Sequence, residues 1–168
     1  FVLFPGDRLG LLLGVAGILS MLIGILGAVA QVDAKRLLSF TLISHIGFMM
    51  WGISLGTVAG LGGAIYYAAH HIIVQTALFL IVGLIERARG TTSLVRLHDL
   101  ARDHPGLSIL FLITALTQAG MPPLTGFNGK LGLAQASVEV GTPMAYSLMA
   151  AGILTSFRTH YVAVKCWS

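Results

Sequence analysis

The stretch Ala119-Gly120-Met121-Pro122-Pro123-Leu124-Thr125-Gly126-Phe127-Asn128-Gly129-Lys130 decides how this chain is read. It interrupts a long apolar segment, with helix expected from about Leu107 to Ala119 and again from about Phe127. Two consecutive prolines remove two backbone donors and clash with the preceding turn, so a helix must open here. Exposed to lipid, the freed carbonyls would find no water. Broken helices at membrane depth persist where they are buried in protein or line a wet cavity. A cation just after such a break is a functional candidate by default.

The surrounding composition is that of a membrane protein. Of 168 residues, 56% are hydrophobic and 10% charged, against roughly 25% charged in an average soluble domain. Five apolar segments are long enough to span, taking about 20 residues per crossing. They run from about 9 to 32, 37 to 55, 61 to 85, 107 to 138 (broken at 120–126) and 144 to 164. Pro5, Gly6 and Asp7 punctuate the entry to the first, whose Gly10/Gly14 pair has small-xxx-small spacing suited to close helix packing. The expected fold is all-α, a polytopic membrane helix bundle of five spans with one broken helix. No n-region precedes the first apolar run, so no signal peptide is read, and the lone Cys166 has no internal partner. Opening beside one helix start and stopping after another helix, the chain reads as a piece of a longer polytopic protein.

Charge placement orients the bundle. With alternating crossings, Lys35, Arg36, Arg87, Arg89, Arg96, Arg102 and Lys165 fall on one face and only Arg8 on the other; Lys130 and Arg158 lie within spans. Seven cations against one is a positive-inside asymmetry, placing Phe1 outside and Ser168 in the cytoplasm. The basic balance is topological, and nucleic acid is not an expected partner. Lys165 and Trp167 suit an interfacial belt.

Polar groups inside the spans carry the chemistry. Tyr67, His71 and Gln75 recur at i, i+4 and i+8, drifting only about 40° per step, so they share one stripe of a helix. Phenol, imidazole and amide in a row can order water, and histidine changes protonation near physiological pH. The same stripe also suits interhelical hydrogen bonds. His70 points about 100° away, toward a different helix. In the second span Thr41, Ser44 and His45 sit together above Met49 and Gly52, with His45 open to a relay or a packing role. Lys130 is the leading single candidate: an ammonium held away from water can exchange protons near neutral pH. A snorkelling role is disfavoured by a break more than ten residues into the span. Thr114, Thr117 and Gln118 precede the break and are expected to line the same cavity. Arg158 and His160 in the last span have no assigned partner.

Three stretches together resemble the antiporter-like subunit family, which includes the D subunit of Mrp-type multisubunit cation/proton antiporters and the proton-pumping membrane subunits of respiratory complex I. They are Asp33-Ala-Lys-Arg-Leu-Leu-Ser-Phe-Thr-Leu-Ile-Ser-His-Ile-Gly47, His70-His-Ile-Ile-Val-Gln-Thr-Ala-Leu-Phe-Leu80 and Ala119 to Lys130, the last being the most diagnostic. The double histidine at 70–71 and the Gly-Lys ending look closer to the Mrp-type D subunit. The resemblance implies a fourteen-helix-type fold with two inverted repeats, each holding a broken helix, of which this chain supplies the second half. It implies that Lys130 is the terminal proton-relay residue beside an outward half-channel. His71 matches a histidine of the preceding relay helix. The position of Gln75 is often lysine in the family; glutamine holds no mobile proton, so water or His71 would have to carry the step. Implied partners are other subunits of a multisubunit membrane complex, the lipid bilayer, protons and Na+, in a prokaryotic plasma membrane. No cofactor, metal or redox centre is implied.

The expected function is therefore part of a monovalent cation/proton antiporter subunit, with a proton-pumping subunit of an NADH-quinone oxidoreductase or related hydrogenase complex as the close alternative. In the latter assembly the subunit would belong to an enzyme without holding its redox chemistry. Two readings come from other classes. A haem cytochrome ligated by His45 and His70 or His71 needs matched depth, whereas His45 begins a downward span and His71 lies mid-span. A purely structural scaffold leaves a lysine at a helix break unexplained.

Overall fold

The computed structural model describes residues 7–94 and 100–167. Pro5, Gly6 and Arg96 lie outside the described residues, as do the side chains of Lys165 and Trp167. Among the described residues the chain is helical without a strand: α1 (Asp7–Ala30), α2 (Ala34–Ser54), α3 (Val58–Arg89), the short α4 (Leu100–Asp103), α5 (Pro105–Ala119), α6 (Thr125–Val140) and α7 (Pro143–Trp167).

The five-span expectation needs correction. By length and apolarity three described helices can cross a membrane, α1, α2 and α3. The segment expected as one broken span is two separate helices of 15 and 16 residues, each short of the roughly 20 residues a crossing takes. The helices stop and restart at 120–124, tighter than the expected 120–126. At 25 residues α7 is long enough, but Arg158, His160 and Lys165 dilute its apolarity. Expected as a polar connection from residue 86, the segment after the third span instead starts later, because α3 continues to Arg89. At 32 residues α3 is about 48 Å long, more than a hydrocarbon core of about 30 Å, so it tilts or emerges.

Local chemistry sets the helix ends. Asp33 caps α2, accepting from the backbone N–H groups of Lys35 (3.0 Å) and Arg36 (3.1 Å). Thr57 caps α3 through Gly60 N–H, and Gly90 closes it in the left-handed region (φ 70°) with Arg87 and Arg89 in the last turn. Asp33 also accepts from the Thr92 hydroxyl. Beside it, Ala34 N–H donates to Thr92 O (2.9 Å) and Leu94 N–H to Val32 O (2.9 Å). Lys35 reaches Glu86 at 2.6 Å, and Arg89 pairs with Asp103. These contacts bring the Lys35/Arg36 turn and the connection after α3 to the same end of the bundle, as alternation of the first three helices requires.

Close packing of α1 on α2 uses glycine, though not mainly the expected pair. A Cβ on Gly24 would lie 2.7 Å from Ser44 Cα, and one on Gly47 2.8 Å from Met21 N. Gly14 instead faces Met144 and Leu148 of α7. Such close approach replaces the missing hydrophobic drive in lipid with backbone-to-backbone contact. Two apolar clusters result. Leu38, Val74, Leu78 and Ala115 belong to one, and Met21, Phe48, Tyr67 and Leu133 to the other. Along α2, His45 falls between Leu38 and Phe48; along α3, His71 falls between Tyr67 and Val74.

Candidate proton-relay site

The Tyr67–His71–Gln75 stripe of α3 faces inward, and all three residues are buried. The Tyr67 hydroxyl hydrogen-bonds Nδ1 of His45 on α2. The imidazoles of His45 and His71 stack with centroids 4.9 Å apart and planes 16° apart. His71 Nδ1 meets Gln118 Nε2 of α5 at 3.1 Å, so Nδ1 accepts from the amide. Gln118 Nε2 also donates to Gln75 Oε1 (2.8 Å), and Gln75 Nε2 donates to Leu38 O (2.8 Å). Two hydrogen-bonded groups, Tyr67–His45 and His71–Gln118–Gln75–Leu38 O, therefore meet at the stacked imidazoles. Nε2 of His45 and of His71 are buried without a hydrogen-bond partner among the described residues. Such atoms call for a water or a mobile proton.

His70 does turn to another helix: its Nδ1 meets Thr125 Oγ1 (3.1 Å) at the first residue of α6. Gly126 makes room for this approach, since a Cβ there would lie 3.0 Å from His70 Nε2 and collide with Thr117 O.

Lys130 sits one turn and more inside α6. Its Nζ donates to Ala119 O (2.7 Å), a carbonyl freed by the end of α5. The ammonium lies 5.1 Å from the Phe48 ring centroid, a cation–π contact. Phe48 in turn is 5.8 Å from the His45 ring and 5.3 Å from Tyr67, and it is wholly buried. Phe48 therefore stands between the lysine and the imidazole–phenol pair. Lys130 also lines a cavity of about 370 Å³ together with Phe127, Gly152, Ser156 and His160.

Several expectations change. Thr114, Thr117 and Gln118 do not line this cavity: the two hydroxyls bond back to Leu110 O and Ile113 O, both at 2.7 Å, as threonines in apolar helices commonly do, and Gln118 turns to His71 and Gln75. Ser44 bonds across to Met21 O on α1 (2.9 Å). The unequal depths expected of His45 and His71 are not found, and the two rings lie level. A haem between His45 and His71 still has no place, because the two rings meet face to face at 4.9 Å, leaving no gap for an iron held by a nitrogen from each side. Gln118 and Phe48 matter more than the sequence suggests. The signal for Gln118 is an amide two residues before a helix break; Phe48 has none.

The sequence matches the family described as NADH:quinone oxidoreductase/Mrp antiporter, transmembrane, over residues 2–157. It is 45% identical over 154 residues to the D subunit of the Na(+)/H(+) antiporter of Alkalihalophilus pseudofirmus, covering 91% of this chain and 31% of that protein. The fold is similar to a chain of the Mrp complex from Dietzia sp. DQ12-45-1b, with TM-score 0.89, 35% identity and coverage of 96% and 30%. It is also similar to a chain of respiratory complex I from Thermus thermophilus, with TM-score 0.85, 32% identity and coverage of 94% and 33%. The chain spans about a third of the length of the relatives it matches. With its apolar helices and its polar layer built on α2, α3 and α5, the chain belongs to the NADH:quinone oxidoreductase/Mrp antiporter membrane family.

Proposed function

We propose that this chain forms the terminal proton-relay part of a monovalent cation/proton antiporter subunit, exchanging protons for Na+. The observation that carries the reading is Lys130 donating to Ala119 O at 2.7 Å, an ammonium held on a carbonyl that a broken helix has freed. In this reading residues 1–168 are one partial proton-translocating domain. α5 and α6 act together as a single broken crossing, α7 is the fifth span, and the whole belongs to a larger inverted-repeat fold. The Phe1 end faces outside and the Ser168 end the cytoplasm of a cell membrane, supported by Lys35, Arg36, Arg87, Arg89 and Arg102 gathered on one side. Protons reach Lys130 from the layer of His71, His45 and Tyr67, with Gln75 and His70 holding the geometry. The partners are the remaining subunits of a multisubunit membrane complex.

A second reading keeps the same relay in a complex I-type assembly driven by electron transfer elsewhere, supported by the similarity to the Thermus chain. The greater identity to the D subunit of an antiporter favours the first. In everted vesicles carrying the full-length subunit in its complex, Lys130→Ala abolishes cation-driven proton flux; wild-type flux would remove Lys130 from the relay. NADH-driven pumping instead of Na+-driven flux would select the second reading.

A further inference from the structure

We propose that His160 of α7 is a second proton carrier of the Lys130 site, exchanging protons with Lys130 across the cavity they both line. This role rests on the relay role of Lys130 and deepens it. Two observations carry it. Among the described residues, Lys130 and His160 are the two titratable side chains that line the 370 Å³ cavity. And Nδ1 of His160 lies 2.8 Å from Ser156 O, so Nδ1 carries the proton and donates it to that carbonyl. This fixes the neutral tautomer and leaves Nε2 as the basic nitrogen.

The placement gives this pair a distinct role. α6 and α7 are joined by Gly141 and Thr142, so they pack as an antiparallel pair and positions further along α7 lie further back along α6. His160 is therefore at the break end of the cavity, where Gly120 and Pro122 also reach the wall. The histidine layer of α2 and α3 lies on the other side of Phe48. Lys130 thus has a separate partner on each side: the imidazole–phenol layer behind an apolar ring, and His160 through open space. Lys130, Ser156 and His160 give the cavity the polar partners that a bridging water needs. In the transfer, an Nζ–H bond of Lys130 breaks and a water takes the proton. That water gives up a proton as the Nε2–H bond of His160 forms, leaving a neutral amine and an imidazolium. The reverse transfer restores both groups. Besides Lys130, the charged residues of these helices whose side chains are described are Glu139 on α6 and Arg158 on α7, both exposed.

The test uses the full-length subunit in its assembled complex in everted vesicles. His160→Asn keeps an N–H for Ser156 O and removes the basic nitrogen; it lowers cation-driven proton flux about tenfold or more with normal assembly. His160→Ala loses flux likewise, and added imidazole restores part of it. Leu154→Ala, on the exposed face of α7 and outside the cavity wall, leaves flux unchanged. Wild-type flux in His160→Asn overturns the proposal, as does a loss in His160→Ala that imidazole never relieves. If Lys130→Ala abolishes flux while His160→Asn does not, only the role of His160 falls. If Lys130→Ala retains flux, the relay reading itself falls.

Discussion

The imidazoles of His45 and His71, on different helices and 26 residues apart, lie face to face at 4.9 Å, each with a buried Nε2 that has no hydrogen-bond partner among the described residues. Two positive charges at that separation would repel by about 3 kcal/mol at an effective dielectric near 20. In the proposed relay the pair therefore carries at most one extra proton at a time. Tyr67 is what orients the first ring. Tyr67→Phe leaves His45 Nδ1 buried without its partner, at a cost of about 1–3 kcal/mol, and lets the ring turn out of the stack. The expected result is a lower thermal midpoint of the purified complex together with reduced proton flux. An unchanged midpoint would mean that the phenol does not hold His45.

Gln75 gives the second prediction. Its amide is pinned on both sides, donating to Leu38 O and accepting from Gln118. A lysine there can still donate to Leu38 O, and the Gln118 amide can turn its oxygen toward it. Gln75→Lys is expected to sustain flux at or above the wild-type rate in everted vesicles. A loss of flux with normal assembly would show that position 75 serves packing alone. Gln118→Leu removes the bridge between His71 and Gln75 and should reduce flux in both backgrounds.

Legibility from sequence followed the range of the interactions. The break was legible because proline acts on its own turn, and Pro122-Pro123 needs no partner to end α5. Tyr67, His71 and Gln75 were legible as a stripe because helical periodicity is local. What lay beyond reach was pairing across helices. Nothing within α2 marks His45 as level with His71, and nothing marks Phe48 as the ring between Lys130 and the histidines. His160 acquires a role only when α7 folds back along α6. The span count differs for a related reason: in sequence α5 and α6 add to one apolar length, although the prolines divide them into two short helices.

The third prediction concerns the junction that locks the bundle end. The Thr92 hydroxyl, and then the backbone N–H groups of Arg36 and Lys35, hold the Asp33 carboxyl below the usual carboxylate range despite some opposing desolvation. A carboxylate favoured in the fold adds stability that is fully present above its unfolded value of about 3.9 and is lost as pH falls through the lower folded value. Asp33→Ala should cost about 1 kcal/mol from the lost cap and speed amide exchange in the first turn of α2 and at Leu94. In the wild type, the same amides should be released only below about pH 4. Equal exchange in variant and wild type would show that the cap contributes nothing.

Glycine at the α1–α2 crossing yields a fourth. At Gly24 a methyl group would sit 2.7 Å from Ser44 Cα and 2.8 Å from Ser44 Cβ. The obstacle is backbone, which cannot swing aside, so the helices must separate. Gly24→Ala should then destabilise by about 1–3 kcal/mol, and it should weaken the Ser44-to-Met21 hydrogen bond that lies on the same contact. Gly62→Ala is the control, because a Cβ there meets nothing within 4 Å. A thermal midpoint lowered equally by both substitutions would refute the close-approach account.

Lys130 admits a test that separates charge from proton exchange. Arginine keeps the positive charge and can donate to Ala119 O and rest against Phe48, but a guanidinium does not give up its proton in proteins. If Lys130 only anchors the break between α5 and α6, Lys130→Arg should assemble normally and sustain cation-driven flux. If Lys130 carries the proton, the same variant should assemble normally and lose flux by about 100-fold or more. The expected result is the second, measured in everted vesicles at matched complex content. The guanidinium would then hold the broken helix in place, as the methyl group of Lys130→Ala cannot, while being equally unable to release a proton into the cavity.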